Sequence, residues 1–268
     1  MRLIGLSHTN RWKRYILFNH HSQYILGTNI EVISMPTEFF PNYYGSAPER
    51  EGLNLYELWE KGIPFGDSIT PSGFSPQYIS RIMEIITANT PGGARVVSLG
   101  SGNGFIEARL VEAGYEVLCI DYNEEAVAIT TKKGLRSICA DFYDLTPRIF
   151  NDVVTIYADG FFGHLCDDNC GLERPLNHIK SMCLGNDAKI IVSNDAPLTE
   201  GLDVEPHGSV PNFSYLSPQY LSAQFKSIDF KELQSETFEY NRPLSGVRKR
   251  TIYVGKATRC ASSECCEN

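Results

Sequence analysis

The run Val96-Val97-Ser98-Leu99-Gly100-Ser101-Gly102-Asn103-Gly104-Phe105 constrains this chain more than any other stretch. An apolar segment of strand length enters glycines at every second position, and a helical pattern begins directly behind them. Glycine tolerates the left-handed backbone and the close approach that such a strand-to-helix turn demands. A second strand-like segment, Tyr115-Glu116-Val117-Leu118-Cys119-Ile120, ends in Asp121. A carboxylate at that point has acceptor capacity for both hydroxyls of a ribose. Strand, glycine turn, helix, strand and carboxylate together predict a nucleoside-binding crevice at the C-terminal edge of a parallel sheet.

A turn that cradles the phosphates of a dinucleotide reads G-x-G-x-x-G and needs its third glycine at position 105. That residue is Phe105, and the run here is G-x-G-x-G through Gly100, Gly102 and Gly104. It resembles the first motif of the class I S-adenosylmethionine-dependent methyltransferases, whose cofactor carries no phosphate. The resemblance covers about residues 74–257 and is most specific between 95 and 165. It implies a Rossmann-like α/β fold: a seven-stranded, mostly parallel sheet with helices on both faces, its last strand inserted antiparallel. It also implies S-adenosyl-L-methionine as cofactor and methyl transfer to an N or O atom of a small molecule. Two alternatives stand beside it. One is an NAD-dependent oxidoreductase, disfavoured by Phe105 and by a core that starts after about 90 residues. The other is a methyltransferase-fold binding protein without catalysis.

Carried over residue by residue, the resemblance places Gly100, Ser101, Gly102 and Gly104 at the methionine portion of the cofactor. Asp121 matches the acidic ribose ligand, although an Asp ahead of a helix is also a favoured N-cap. Tyr122 is expected to pack on the adenine. Asp141, behind the third strand, matches the carboxylate that takes the adenine amino group, with Asp144 one turn later as its rival. Phe142 supplies an apolar wall. Tyr157 ends the fourth strand and opens the segment Tyr157-Ala158-Asp159-Gly160-Phe161-Phe162-Gly163-His164-Leu165. That segment resembles the one running beside the sulfonium in small-molecule methyltransferases, including the glycine N-methyltransferase type. An Asn-Pro-Pro-Tyr-like tetrapeptide is not there, which lowers nucleobase and protein-glutamine acceptors.

A sulfonium is already a good leaving group, so such an enzyme mainly aligns the acceptor and excludes water. A hydroxyl acceptor benefits from a base, and Asp159 and His164 are the nearest catalytic candidates. A structural loop histidine, and an Asp that forms a turn or contacts the cofactor, compete with those roles. Asp195, at the end of the fifth strand, is a further acceptor-side residue.

Apolar periodicity supports the alternation of strands and helices. Strands are expected at 94–99, 115–120, 135–139, 152–157 and 189–193, and a terminal pair at 232–240 and 249–256. Helices are expected at 104–113, 124–133 and 171–184. Ser-Pro-Gln-Tyr occurs at 75–78 and 217–220, each time as an N-cap followed by a first-turn proline. Residues 1–73 read as an N-terminal extension and lid, 74–257 as the methyltransferase domain and 258–268 as a flexible tail. Leu53, Tyr56, Leu58 and Trp59 predict one short helix in the extension. The aromatics Phe39, Phe40, Tyr43, Tyr44, Phe65 and Phe74 either wall a pocket or anchor the segment. Residues 1–34 lack a clean period and read as a lid, a leader or a start-site artefact with Met35 as the working start.

A net charge of −8 argues against a broad nucleic-acid footprint, which normally needs a basic face. Arg248-Lys249-Arg250 is the one dense basic cluster and reads as a solvated strand start. No apolar run reaches the roughly 18 residues a membrane span requires, so a cytoplasmic protein with a small-molecule methyl acceptor and no membrane partner is expected. The eight cysteines then read as reduced thiols, with Cys119 and Cys139 in the core. His164, Cys166 and Cys170 have metal-like spacing but lack an evident fourth ligand, and no metal is expected.

Overall fold

The computed structural model describes residues 43–65, 68–182 and 188–258. The strands are β1 (Arg95–Leu99), β2 (Glu116–Asp121), β3 (Arg136–Cys139), β4 (Val153–Asp159), β5 (Lys189–Asp195), β6 (Val204–Pro206), β7 (Ser214–Leu216), β8 (Phe230–Arg242) and β9 (Gly246–Ala257). The helices are α1 (Leu55–Glu60), α2 (Pro76–Asn89), α3 (Phe105–Glu112), α4 (Glu124–Lys132), α5 (Phe161–Leu165), α6 (Glu173–Ser181) and α7 (Pro218–Ser227). Seven strands form one sheet in the order β3-β2-β1-β4-β5-β9-β8. β1 to β5 run parallel, and β9 inserts antiparallel between β5 and β8.

The two-residue period of the strands sorts their apolar side chains onto two faces. Val96, Val117, Tyr157, Ile191, Ile252 and Val254 meet Tyr78, Ile82 and Ile86 of α2 and Ile106 and Leu110 of α3. Their neighbours Val97, Leu118, Ile156, Ile190 and Val192 meet Leu176 and Ile179 of α6 and Leu221 and Phe225 of α7. Burial on both faces explains why these strands read as continuous apolar runs. Both Ser-Pro-Gln-Tyr turns cap as expected: Ser75 Oγ accepts from Tyr78 N–H at 3.3 Å and Ser217 Oγ from Tyr220 N–H at 3.0 Å.

Four features differ from expectation. The β8–β9 hairpin runs to Arg242 and resumes at Gly246, well past the expected ends, because antiparallel partners need only a tight turn and continue pairing through polar residues. Arg250, already within the expected strand, lies opposite Asp195 because β9 inserts beside β5 and is only 2% exposed, which corrects its assignment to a solvated cluster. Cys139 is exposed while Cys119 is buried, since β3 is the edge of the sheet and β2 is not. The short helix α5 and the separate β6–β7 pair were not anticipated, as neither carries a periodic apolar pattern.

In the extension, Asn54 and Glu57 form a reciprocal capping box at the start of α1. Leu55, Tyr56, Leu58 and Trp59 then pack with Ile69, and with Ala126 and Ile129 of α4. Tyr43, Tyr44, Phe65 and Phe74 join that cluster, while Phe39, Phe40 and residues 1–34 lie outside the described residues, as do 259–268. No helix among the described residues is long and apolar enough to cross a membrane.

Candidate active site

The chain winds outward from β1 through β2 to β3 and then crosses to β4 on the other side of β1, and the crevice expected at such a switch point opens above the glycine turn. Gly100, Gly102 and Gly104 have φ values of 64°, 51° and 68°. The Gly100 and Ser101 amides donate to Ile120 O at 2.8 and 3.2 Å, locking the turn onto β2. The glycines divide by role. A Cβ on Gly100 would stand 2.8 Å from the Phe161 ring, and one on Gly104 2.7 Å from Leu135. A Cβ on Gly102 would meet only Tyr56, at 3.9 Å. Two glycines therefore serve close packing, and Gly102 keeps the backbone accessible from the cleft.

Asp121 sits at the end of β2 with its carboxylate partly engaged. It accepts from Gly102 N–H at 2.8 Å and from Asn123 N–H at 2.9 Å. Burial raises its pKa, and these amides oppose the shift. Asn123, not Asp121, caps α4, accepting from Glu125 N–H at 2.9 Å. A carboxylate offers about four acceptor sites, so Asp121 keeps capacity for a ligand. Tyr122 lies at the rim, 54% exposed. Asp141 lines the cleft and accepts from Tyr143 N–H at 2.8 Å, whereas Asp144 is exposed and does not line it. Phe142 is buried edge-on to Phe161, with ring centres 5.2 Å apart.

At the other end of the cleft lies a buried ion network. Arg250 donates to Asp159, to Asp195 at 3.1 Å and to Ser193 Oγ at 2.9 Å. Arg242 reaches Asp195 at 2.5 Å, and Tyr240 O–H donates to the same carboxylate at 2.8 Å. Burial alone would raise the Asp195 pKa, but Arg250 and Arg242 hold it below the usual range. Asp159 also accepts from Thr70 Oγ1 at 3.3 Å, which ties the extension to β4. Its carboxylate is thus committed to an ion pair.

His164, on α5, is held between the extension and β7. Its Nε2 bonds the Tyr44 hydroxyl at 3.0 Å, and its ring meets Phe213 edge-on at 4.8 Å. Burial lowers its pKa to about 4, with the Asn212 main chain opposing, so the imidazole is neutral near pH 7. Gly163 lets α5 approach this closely, because a Cβ there would stand 2.5 Å from Phe213. Tyr44 also stacks on Tyr56 at 5.6 Å. Cys170 and Cys166 turn to other partners, Asp167 at 2.8 Å and Tyr220 at 4.0 Å.

One buried cleft-lining acid was not anticipated. Glu107, on the first turn of α3, is 3% exposed and accepts from Ser98 Oγ at 2.5 Å. A hydroxyl inside an otherwise apolar strand, nine residues before a glutamate on the following helix, was the available signal. α1 is fastened to the same turn: Asn103 Nδ2 donates to Tyr56 O at 2.9 Å and to Glu60 at 2.6 Å, and Lys133 bridges Glu60 and Asn103 O.

The described residues enclose a cleft of about 2050 Å³. Ligand pockets of about 300–1,000 Å³ hold one drug-sized molecule, so there is room for a nucleoside and a second small molecule. The residues at the turn fit S-adenosylmethionine: an open Gly102, a carboxylate with spare capacity at Asp121, and a Tyr157 hydroxyl that lines the cleft without a hydrogen-bond partner among the described residues.

No family profile matches the chain. It is 39% identical over 216 residues to the tabtoxin biosynthesis enzyme of Pseudomonas amygdali pv. tabaci, covering 80% of this chain and 85% of that one. Its fold is similar to the 1,6-didemethyltoxoflavin-N1-methyltransferase of Burkholderia thailandensis, solved with 1,6-didemethyltoxoflavin and S-adenosylhomocysteine bound. The TM-score is 0.56 at 17% identity, over 80% of this chain and 92% of that one. It is also similar to the [4+2]-cyclase SpnF, with a TM-score of 0.53 at 13% identity, over 66% of this chain and 81% of that one. The chain belongs to the family of the tabtoxin biosynthesis enzyme, built on the fold of the class I S-adenosylmethionine-dependent methyltransferases.

Proposed function

We propose that the protein is an S-adenosylmethionine-dependent methyltransferase that transfers a methyl group to an N or O atom of a small molecule in a biosynthetic pathway. The observation that carries this is the geometry above β1. Gly102 leaves the backbone open to the cleft, and the Asp121 carboxylate stands at the end of the neighbouring strand with acceptor capacity to spare. The kinship with a biosynthesis enzyme and the fold shared with an N-methyltransferase support it.

S-adenosylmethionine, when bound, supplies an activated methyl group on a sulfonium. The chain's own residues then orient and shield. Asp121 accepts from the ribose hydroxyls, Asp141 from the adenine amino group, and Phe142 and Tyr122 flank the base. Gly100, Ser101, Gly102, Gly104 and Tyr157 bound the methionine portion. Tyr43, Tyr44 and α1 form a lid over the opposite side and exclude water. Asp159, held by Arg250, shapes the acceptor wall, which leaves the neutral His164 imidazole, with the Tyr44 hydroxyl bonded to its Nε2, as the group that takes a proton from an acceptor hydroxyl, whereas an amine acceptor arrives already neutral.

The test is calorimetric titration with S-adenosylhomocysteine and with NAD, followed by a labelled-methyl assay over pools of amines, phenols and carboxylic acids. Binding of S-adenosylhomocysteine and label transfer to one pool are expected. NAD binding without a response to S-adenosylhomocysteine would overturn the cofactor assignment. Cofactor binding without transfer to any pool would instead favour a non-methylating use of the fold.

A further inference from the structure

A carboxylate removed from water is costly unless a cation or several donors meet it. Glu107 is such a group. It lies beneath the glycine turn, 3% exposed, and the one side-chain hydrogen bond it receives comes from Ser98. Its own main-chain amide also bonds the carboxylate, and beside it is a hydroxyl with no such partner. Ser98 of β1 pairs in register with Tyr157 of β4, so Tyr157 and the Ser98–Glu107 contact are neighbours on one face of the sheet. The Tyr157 hydroxyl is buried and has no hydrogen-bond partner among the described residues. Both residues line the cleft, as Gly102 does. Asp159, one alternation further along β4, adds negative charge and is balanced by Arg250. Lys133, the nearest base on the α4 side, is occupied by Glu60 and Asn103 O. The pocket floor therefore offers this carboxylate hydroxyls, those of Ser98, Tyr157 and Ser101, and no uncommitted cation beside it among the described residues.

A primary ammonium group satisfies this arrangement, since it brings a positive charge and three N–H donors. Resting on the cofactor assignment above, we propose that Glu107 and Tyr157 form the subsite for the ligand's α-ammonium group, with the Glu107 carboxylate as its counter-ion and the Tyr157 oxygen as a second acceptor. Ser98 is a positioning residue: its hydroxyl fixes the carboxylate oxygen that faces away from the ligand. The strand beneath the turn thus supplies a hydroxyl, and the acid that reads the ligand comes from the helix above it.

Two probes of the same nucleoside separate this subsite from the rest of the cleft. S-adenosylhomocysteine carries the ammonium; 5′-methylthioadenosine lacks the amino-acid part. Both are titrated calorimetrically into the full chain and into Glu107→Gln, which keeps size and an acceptor oxygen but removes the charge. Loss of a hydrogen bond to a charged group costs about 1.5–3 kcal/mol, so S-adenosylhomocysteine should bind at least about tenfold more weakly to the variant. Methylthioadenosine should bind equally to both proteins. Tyr157→Phe should show the same selectivity with a smaller loss. Unchanged S-adenosylhomocysteine affinity in Glu107→Gln would overturn the assignment, and so would equal weakening of both probes, which marks a merely structural role. If the wild-type protein binds neither probe, the cofactor assignment itself fails.

Discussion

Glu107 has a consequence for stability that can be worked through from its surroundings. Burial raises its pKa to about 7 from 4.5; the Ser98 hydroxyl, its own main-chain amide and Lys133 pull it down, and Asp159 pushes it up. Cys119 and the Tyr157 hydroxyl, the other titratable groups beside it, stay protonated across the neutral range. In the unfolded chain the carboxyl loses its proton near 4.5, whereas in the folded chain it holds it to about 7. Between those values the folded state binds more protons, so this group's contribution to stability falls as pH rises and the loss is complete above 7. At about 1.4 kcal/mol per pKa step, the ionised carboxylate costs the ligand-free protein about 3 kcal/mol at pH 8.

Glu107→Gln removes that cost and keeps the contact with Ser98. The variant should therefore be more stable than the wild type at pH 8 by about 3 kcal/mol, roughly 6–10 °C in Tm for a chain of this size. The advantage should shrink towards zero at pH 4.5. Thermal and urea unfolding of both proteins without ligand, across pH 4.5 to 8.5, reads this directly. A stability difference that does not vary with pH, or a variant less stable at pH 8, would refute the burial argument. Saturating S-adenosylhomocysteine should narrow the gap at pH 8, because it stabilises the wild type more.

Further outcomes follow from the same geometry. Asp121→Ala should weaken S-adenosylhomocysteine binding by about 1–3 kcal/mol in calorimetry, and unchanged affinity would reduce Asp121 to a clamp on Gly102 and Asn123. Gly104→Ala, forced against Leu135 and Thr130 at φ 68°, should cost about 2–4 kcal/mol of unfolding free energy. Gly102→Ala lacks that clash and should lose about 1–2 kcal/mol through backbone strain, with its main effect on cofactor affinity; equal destabilisation of the two would contradict their different roles. Arg250→Met leaves Asp159 and part of Asp195 uncompensated in a buried site and should cost about 3–5 kcal/mol in urea unfolding. If His164 takes the acceptor's proton, its limb of the pH–rate profile should fall below about pH 4, not near 6.5, and should vanish in His164→Ala; a limb near 6.5 that survives the substitution would assign the base elsewhere.

Much of this molecule is local, and local physics is legible in a sequence. Apolar runs of strand length between periodic segments located β1 to β5 and helices α2, α3, α4, α6 and α7 to within a few residues. Serine followed by proline fixed two helix starts, and the glycine spacing with Asp121 located the crevice, because each depends on neighbours only a few bonds away. The opposite end of the cleft depended on contacts distant in the chain. Arg250 looks like part of a solvated cluster until β9 is inserted beside β5, where opposite Asp195 and near Asp159 it becomes a buried counter-ion. Tyr44 and His164 are 120 residues apart and meet only because the extension folds across α5. Glu107 shows both levels: helical spacing put it on the first turn of α3, but only the pairing of Ser98 with Tyr157 across β1 and β4 enclosed its charge. The sequence alone determined the crevice and its chemistry of approach. The tertiary structure decided which charges are buried and which line the cleft, because burial depends on elements that sequence separation hides.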